Sequence, residues 1–170
     1  MSDIREARLQ KANTLISKGF ASYAESFKVS HTTQFLVEKF DYLENGQEEE
    51  FFVSIAGRVM AKRVMGKIAF FTISDQEGQI QLYLDQRIIN LNLENQKLLS
   101  FQDIKELVDI GDWIGVYGTI KKTNRGELSI KVEQWEMLSK SLQPLPDKWH
   151  GLTDIEKRYR QRYLDLIVNP

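Results

Sequence analysis

Cysteine is absent from the 170 residues, which removes disulfides, thiolate metal ligands and cysteine nucleophiles, and fits a reducing, cytoplasmic setting. Histidine is scarce: His31 and His150 stand far apart and in no metal-ligand spacing, so the sequence offers no metal centre. No apolar run approaches a membrane span. The first residues mix Asp3, Arg5, Glu6 and Arg8 without the apolar segment of a signal peptide. Net charge is nearly missing too, at -1, so any contact with nucleic acid must come from a local patch and not from bulk charge. Also lacking are a glycine-rich phosphate loop, a paired-histidine motif, and a serine or carboxylate pair at hydrolytic spacing. These absences point to a binding domain with no catalytic residues, metal or cofactor of its own.

What the chain does have is periodicity. A hydrophobic content of 42% suffices for one ordinary core with appendages. From Asp3 to Lys18 the residues Ile4, Ala7, Leu15 and Ile16, with Leu9 and Ala12 nearby, recur at helical spacing. They predict an amphipathic helix that Asp3 and Glu6 cap and Gly19 stops. A second, shorter helix is expected from Ser30, carrying Phe35, Leu36 and Phe40 up to a turn at Glu44-Asn45-Gly46. From Phe51 the period becomes two. Val53, Ile55, Gly57 and Val59 alternate with Ser54, Ala56, Arg58 and Met60; Ala69, Phe71 and Ile73 oppose Ile68, Phe70 and Thr72; Ile80, Leu82 and Leu84 oppose Gln79, Gln81 and Tyr83. A short helix capped by Ser100 follows, and then two strands, Asp112 to Lys121 and Glu127 to Leu138, flank a Thr123-Asn124-Arg125-Gly126 hairpin turn.

Strand, strand, strand, short helix, strand, strand is the order of the five-stranded Greek-key barrel known as the OB-fold. The expected class is therefore mainly β with flanking helices, the barrel being preceded by the N-terminal amphipathic helix. Gly57 and Gly118 are candidate bends. The expected division is a helical extension over 1–50, a barrel over 51–139, and a proline-stiffened linker with one further helix over 140–170. That last helix, capped by Thr153 and Glu156, has nothing left to pack on, so the natural chain is expected to continue into a second domain.

No acidic residue occurs between Phe51 and Ser74, while Arg58, Lys62, Arg63 and Lys67 all do. With Arg125 in the hairpin turn, these are candidate phosphate contacts, and a solubilising edge is the competing reading. Alternation places Phe70 and Gln81 on one outer face of adjacent strands. An exposed aromatic ring beside an amide on such a sheet can stack and read an unpaired base; alternatively Phe70 is an exposed apolar residue or one covered by the N-terminal helix. Gln81 can accept from uracil N3–H, and the same amide rotated serves cytosine, so discrimination requires that something hold it. Glu127 points outward by parity, and either accepts a hydrogen bond from a base edge or balances Lys131.

The stretches VMAKRVMG (59–66), KIAFFTI (67–73), QIQLY (79–83) and GELSI (126–130) resemble the anticodon-binding domain of bacterial class II lysyl-tRNA synthetases. PLPDKWHGL (144–152) and RYRQRYLDL (158–166) look like the connector and first catalytic-domain helix of the same enzymes, and are specific for lysyl members. The barrel pattern is shared with aspartyl and asparaginyl relatives. The resemblance implies that Phe70 stacks on the central uridine of the lysine anticodon and that Gln81, Arg63 and Glu127 contact the bases. The partner would be the tRNA(Lys) anticodon stem-loop. Arg5, Arg8, Lys11 and Lys18 on the first helix would touch phosphates. It further implies a cytoplasmic, homodimeric parent enzyme that uses ATP and magnesium, with this chain catalytically inactive because the three class II motifs are absent. Tyr23-Ala24 departs from the Tyr-Pro pair frequent after the first helix. A different class of function, a stand-alone OB-fold module for single-stranded nucleic acid or protein, remains the alternative.

Overall fold

A computed structural model describes residues 2–17, 27–93 and 99–142. The expected helix stop at Gly19, the Tyr23-Ala24 turn, the proline connector and the last helix lie outside these residues. Elements run in the order α1 (Ser2–Ser17), α2 (Thr33–Lys39), β1 (Glu48–Met65), β2 (Ile68–Ser74), β3 (Gln79–Asp85), α3 (Gln86–Leu91), α4 (Phe101–Leu107), β4 (Trp113–Lys122) and β5 (Leu128–Ser139). The five strands close into a barrel in the order β1-β2-β3-β5-β4, with β3 and β5 parallel and every other neighbour antiparallel.

Closure depends on one long strand. β1 has 18 residues; its first half pairs with β4 and its second with β2, and Arg58 is opposite both Trp113 and Ser74. Gly57 marks this corner, because a Cβ there would lie 3.0 Å from the carbonyl oxygen of Ser74. Gly118 marks another: a Cβ would collide with the carbonyl oxygen of Lys131, beside a register shift between β4 and β5. The inward set expected from alternation fills the interior, with Ile55, Val59, Phe71, Ile73, Leu82, Leu84 and Ile130 all fully buried. Trp135 is buried as well, its indole N–H donating to the carbonyl of Ser100 (3.1 Å).

Short helices plug and brace the barrel. Ser100 caps α4 and forms a reciprocal capping box with Asp103. The six-residue α3, capped by Asp85, falls where periodicity was too irregular to predict an element. α2 starts three residues later than expected, capped by Thr32, and docks on the β2–β3 turn through Thr33, whose N–H and hydroxyl both donate to Asp75 (2.8 Å each). In α1 only Ala12 and Leu15 are buried, whereas Ile4 and Ala7 are exposed. The apolar stripe is therefore shorter than the spacing suggested. Asp3 lies within the first turn instead of capping it.

One polar cluster ties three chain segments together. The Asp112 carboxylate, with no exposed surface, accepts from Lys140 Nζ (2.6 Å), the backbone N–H of Ser141 (2.7 Å) and that of Asp109 (2.7 Å). Asp109 accepts from Lys140 (2.8 Å) and from Lys11 of α1 (2.7 Å). Burial pushes Asp109 upward, but Lys140 and Lys11 outweigh it and hold the carboxyl below the ordinary range. This cluster has two testable consequences. Lys140→Ala leaves Asp112 buried without its cation and should cost about 3 to 5 kcal/mol in urea unfolding. Because the folded pKa of Asp109 is depressed, its contribution is present above the unfolded value of about 3.9 and is lost as pH falls through the folded value. Unfolding midpoints measured from pH 6 downward should therefore fall less steeply in Asp109→Asn than in the parent chain.

Candidate nucleic-acid interface

A β-bulge decides which side chains of β1 reach the surface near its end. Val59 is opposite Ile73 and Ala61 opposite Thr72, so Met60 is an extra residue. A one-residue slip exchanges the two faces of a strand. Beyond the bulge, Ala61, Arg63 and Met65 are exposed, while Lys62 and Val64 turn inward. Arg63 thereby comes opposite Phe70, with its guanidinium carbon 5.1 Å from the ring centre.

Phe70 is opposite Tyr83 on β3, and the rings meet edge to face at 5.8 Å and 62°. Gln81 shares their outer face, diagonal to Phe70. Parallel pairing then sets Gln81 beside Ser129 of β5, whose other neighbour is Lys121 of β4. Gln81 Nε2 donates to Ser129 Oγ (2.9 Å). Lys121 Nζ lies 5.2 Å from the Tyr83 ring centre. The β4–β5 turn, closed by the N–H of Gly126 donating to the carbonyl of Thr123 (2.9 Å), forms the far wall. The result is an open groove of about 530 Å³ lined by Arg63, Met65, Phe70, Gln81, Tyr83, Lys121, Arg125 and Glu127, among others. All four residues expected to contact bases, Phe70, Gln81, Arg63 and Glu127, line this one groove.

The groove's charges are partly neutralised. Glu48 accepts from Lys131 (2.6 Å) and Lys121 (3.1 Å), and the hydrogen bond from Lys131 is the main cause holding its carboxyl below the ordinary value. Lys131 is thus paired with Glu48, not with Glu127 as one reading of parity had it. The Glu127 carboxylate, exposed at the groove wall, has no partner among the described residues. Burial, followed by the charge of Asp85, raises the Tyr83 phenol, which stays a protonated donor toward Asp85 (3.4 Å).

Of the expected phosphate contacts only Arg125 lines the groove. Lys67 is exposed at the β1–β2 turn, outside the lining residues. Two expectations need correction. Arg58 is fully buried, at the corner where β1 pairs with Trp113 of β4 and Ser74 of β2. Lys62 turns inward past the bulge and donates to the carbonyls of Lys105 (2.6 Å) and Val108 (2.7 Å) at the end of α4. Burial pushes its ammonium down, with Asp109 opposing. A cation at orphan C-terminal carbonyls is a helix cap, so Lys62 is engaged by the backbone of α4, and Arg58 has no exposed surface to offer a phosphate. On α1, Arg8 hydrogen-bonds Ser141 and lies near Asp109, which also binds Lys11. Arg5 is exposed, and Lys18 lies outside the described residues.

Sequence reasoning passed over Tyr83, Lys121 and Ser129. The parity that selected Gln81 also pointed Tyr83 outward, so that residue was within reach. Among the described residues no group of three or more His, Cys, Asp or Glu side chains could hold a metal ion. No helix among them is long and apolar enough to cross a membrane.

Comparison with known proteins places this groove in context. A family model described as an OB-fold nucleic acid binding domain, of the tRNA anticodon type, matches residues 53–138. The whole chain is 90% identical to a lysine–tRNA ligase of Prochlorococcus marinus strain MIT 9312 and 88% identical to that of strain MIT 9301. It is 58% identical to a lysine–tRNA ligase of Synechococcus sp. strain CC9902. In each case the match covers 100% of this chain and 33% of the relative, so the chain spans a third of the length of these curated proteins. A closed five-stranded barrel, its one parallel seam and the family match over β1 to β5 lead to one statement: the chain belongs to the tRNA anticodon-type family of OB-fold nucleic acid binding domains.

Proposed function

We propose that the groove binds the anticodon of tRNA(Lys), and that the chain serves this purpose within a cytoplasmic lysine–tRNA ligase. On this reading residues 51–139 are the anticodon-binding unit, residues 1–50 its N-terminal extension, and residues 140–170 the lead into a catalytic domain. Ligation of lysine, ATP, magnesium and the homodimer contact belong to the parent enzyme. The observation that carries the reading is the meeting of Phe70, Gln81, Arg63 and Glu127 in one groove.

The chemistry follows from their arrangement. An unpaired pyrimidine lies flat on Phe70 and presents its Watson–Crick edge to Gln81. Arg63 covers the ring at 5.1 Å, and a base displaces it. That exchange is favourable, since an exposed cation–π contact is worth about 0.5 to 1 kcal/mol and base stacking about 1 to 3 kcal/mol. The freed guanidinium turns to a base edge or phosphate. Glu127, without a cation to neutralise it, accepts from a base amino or imino group, and it disfavours any register that sets a phosphate beside it. Arg125 and Lys121 supply positive charge along the path of the backbone.

Titration of the chain with lysine anticodon stem-loops tests this directly. Phe70→Ala should weaken binding by about 5- to 150-fold, the equivalent of one stacked base, while the thermal midpoint stays within a few degrees. Unchanged affinity counts against the stacking role, and equal affinity of the parent chain for U and C at the middle position favours a generic single-strand binder. Two neighbours beyond the bulge, on opposite faces of β1, should behave oppositely. Lys62→Ala should lower stability by about 1 to 3 kcal/mol, because buried carbonyls lose their donor, yet leave stem-loop affinity within twofold. Arg63→Ala should leave stability alone, weaken binding, and, where Arg63 meets a phosphate, reduce the salt slope by about one unit.

A further inference from the structure

We infer that Ser129 is the positioning residue that fixes the Gln81 amide in one orientation, so that the groove presents a carbonyl acceptor and selects a base carrying a ring N–H over one carrying a ring lone pair. The inference rests on the anticodon reading and deepens it.

A glutamine side chain is ambiguous as a reader because rotation by 180° exchanges its acceptor and donor ends. On the surface that rotation is nearly free, and the residue then accepts uracil N3–H or donates to cytosine N3 with similar ease. Here the choice is removed by a chain of two hydrogen bonds. Ser129 Oγ donates to the backbone carbonyl of Glu127 (3.2 Å). A carbonyl oxygen only accepts, so in this geometry the single hydroxyl proton of Ser129 points to it, beside the Thr123 N–H that the same oxygen accepts (3.0 Å). Toward Gln81, Ser129 then offers lone pairs alone, and only the NH2 end of the amide satisfies them, as the 2.9 Å contact from Nε2 shows.

Burial makes the arrangement firm. Ser129 has no exposed surface, so water does not compete for the hydroxyl, and reversing the amide would require that hydroxyl to leave the Glu127 carbonyl and turn toward Gln81. Barrel closure fixes the positions, since Gln81 and Ser129 are register partners across the parallel seam. Gln81 Oε1 accepts no hydrogen bond from a described residue, and Gln81 lines the groove. Uracil N3–H fills this acceptor, whereas cytosine N3 sets a lone pair against it. An ordinary structural serine would need its two bonds for burial alone; it would affect stability, but not the ratio of affinities for two bases.

The test separates these roles. Stem-loops carrying U or C at the middle anticodon position are titrated against the parent chain and Ser129→Ala, and thermal midpoints are measured in parallel. The parent should prefer U by about tenfold or more, and Ser129→Ala should reduce the preference to about twofold while losing little affinity for U. A folded Ser129→Ala that keeps the full preference overturns the positioning role but leaves anticodon binding intact. A parent chain that binds both stem-loops equally overturns the anticodon reading, and this inference with it. A second readout needs no variant and no RNA. In proton–nitrogen spectra of the free parent chain, one Gln81 side-chain N–H should exchange with solvent markedly more slowly than the other; equal, rapid exchange of both would refute the lock even if Ser129→Ala does not fold.

Discussion

Closure of the barrel through a short parallel seam is the constraint on which everything else in the molecule depends. Three register pairs, Gln81 with Ser129, Leu82 with Ile130 and Tyr83 with Lys131, join β3 to β5. Inward, the seam buries Leu82 and Ile130 completely, and burial of each such side chain contributes roughly 1.5 to 3 kcal/mol. Outward, it turns two separate strand faces into one surface. Phe70, Gln81 and Tyr83 come from the β2–β3 hairpin, whereas Lys121, Arg125 and Glu127 come from the β4–β5 hairpin, and only closure sets them around a common groove. Stability and site geometry are therefore two consequences of the same pairing.

Charge in this nearly neutral chain is distributed by the same geometry. The cations of β1 separate according to the face that each presents around the Met60 bulge. Arg58 is buried, Lys62 caps α4, and Arg63 alone of these three reaches the groove. Lys121 and Lys131 share Glu48, which limits the net field. A groove of this kind attracts RNA only modestly through charge and leaves selection to stacking and hydrogen bonds. Lys140, Asp112 and Asp109 meanwhile tie α1 and the segment after β5 to the barrel, and none of them lines the groove.

Much of this was legible in periodicity. The five strands, their inward residues, the Thr123–Gly126 turn and the Ser100-capped helix all follow from alternation, turn chemistry and capping, and so does the common face of Phe70 and Gln81. The misread residues have identifiable causes. A bulge depends on how β1 bends to serve two neighbours, so the acid-free run of cations from Arg58 to Lys67 gave no sign that Lys62 turns inward. Arg58 is buried where β1 passes from β4 to β2, a corner that alternation along one strand does not reveal. Ser129 could be placed outward by parity, yet its importance appears only once the parallel register sets it against Gln81. Six-residue α3 is too short for its period to be resolved. In α1, helical spacing identified the helix but overstated how much of it is buried.

The central claim is that an unpaired base lies on Phe70 within this groove, and proton NMR of the chain bound to a lysine anticodon stem-loop tests it most directly. A base stacked on a phenyl ring has its H5 and H6 protons shifted strongly upfield. The account requires that shift at the middle uridine, together with proton contacts to the Phe70 ring, and requires both to vanish in Phe70→Leu. Binding that leaves the middle uridine unshifted, with contacts to some other face of the barrel, would contradict it.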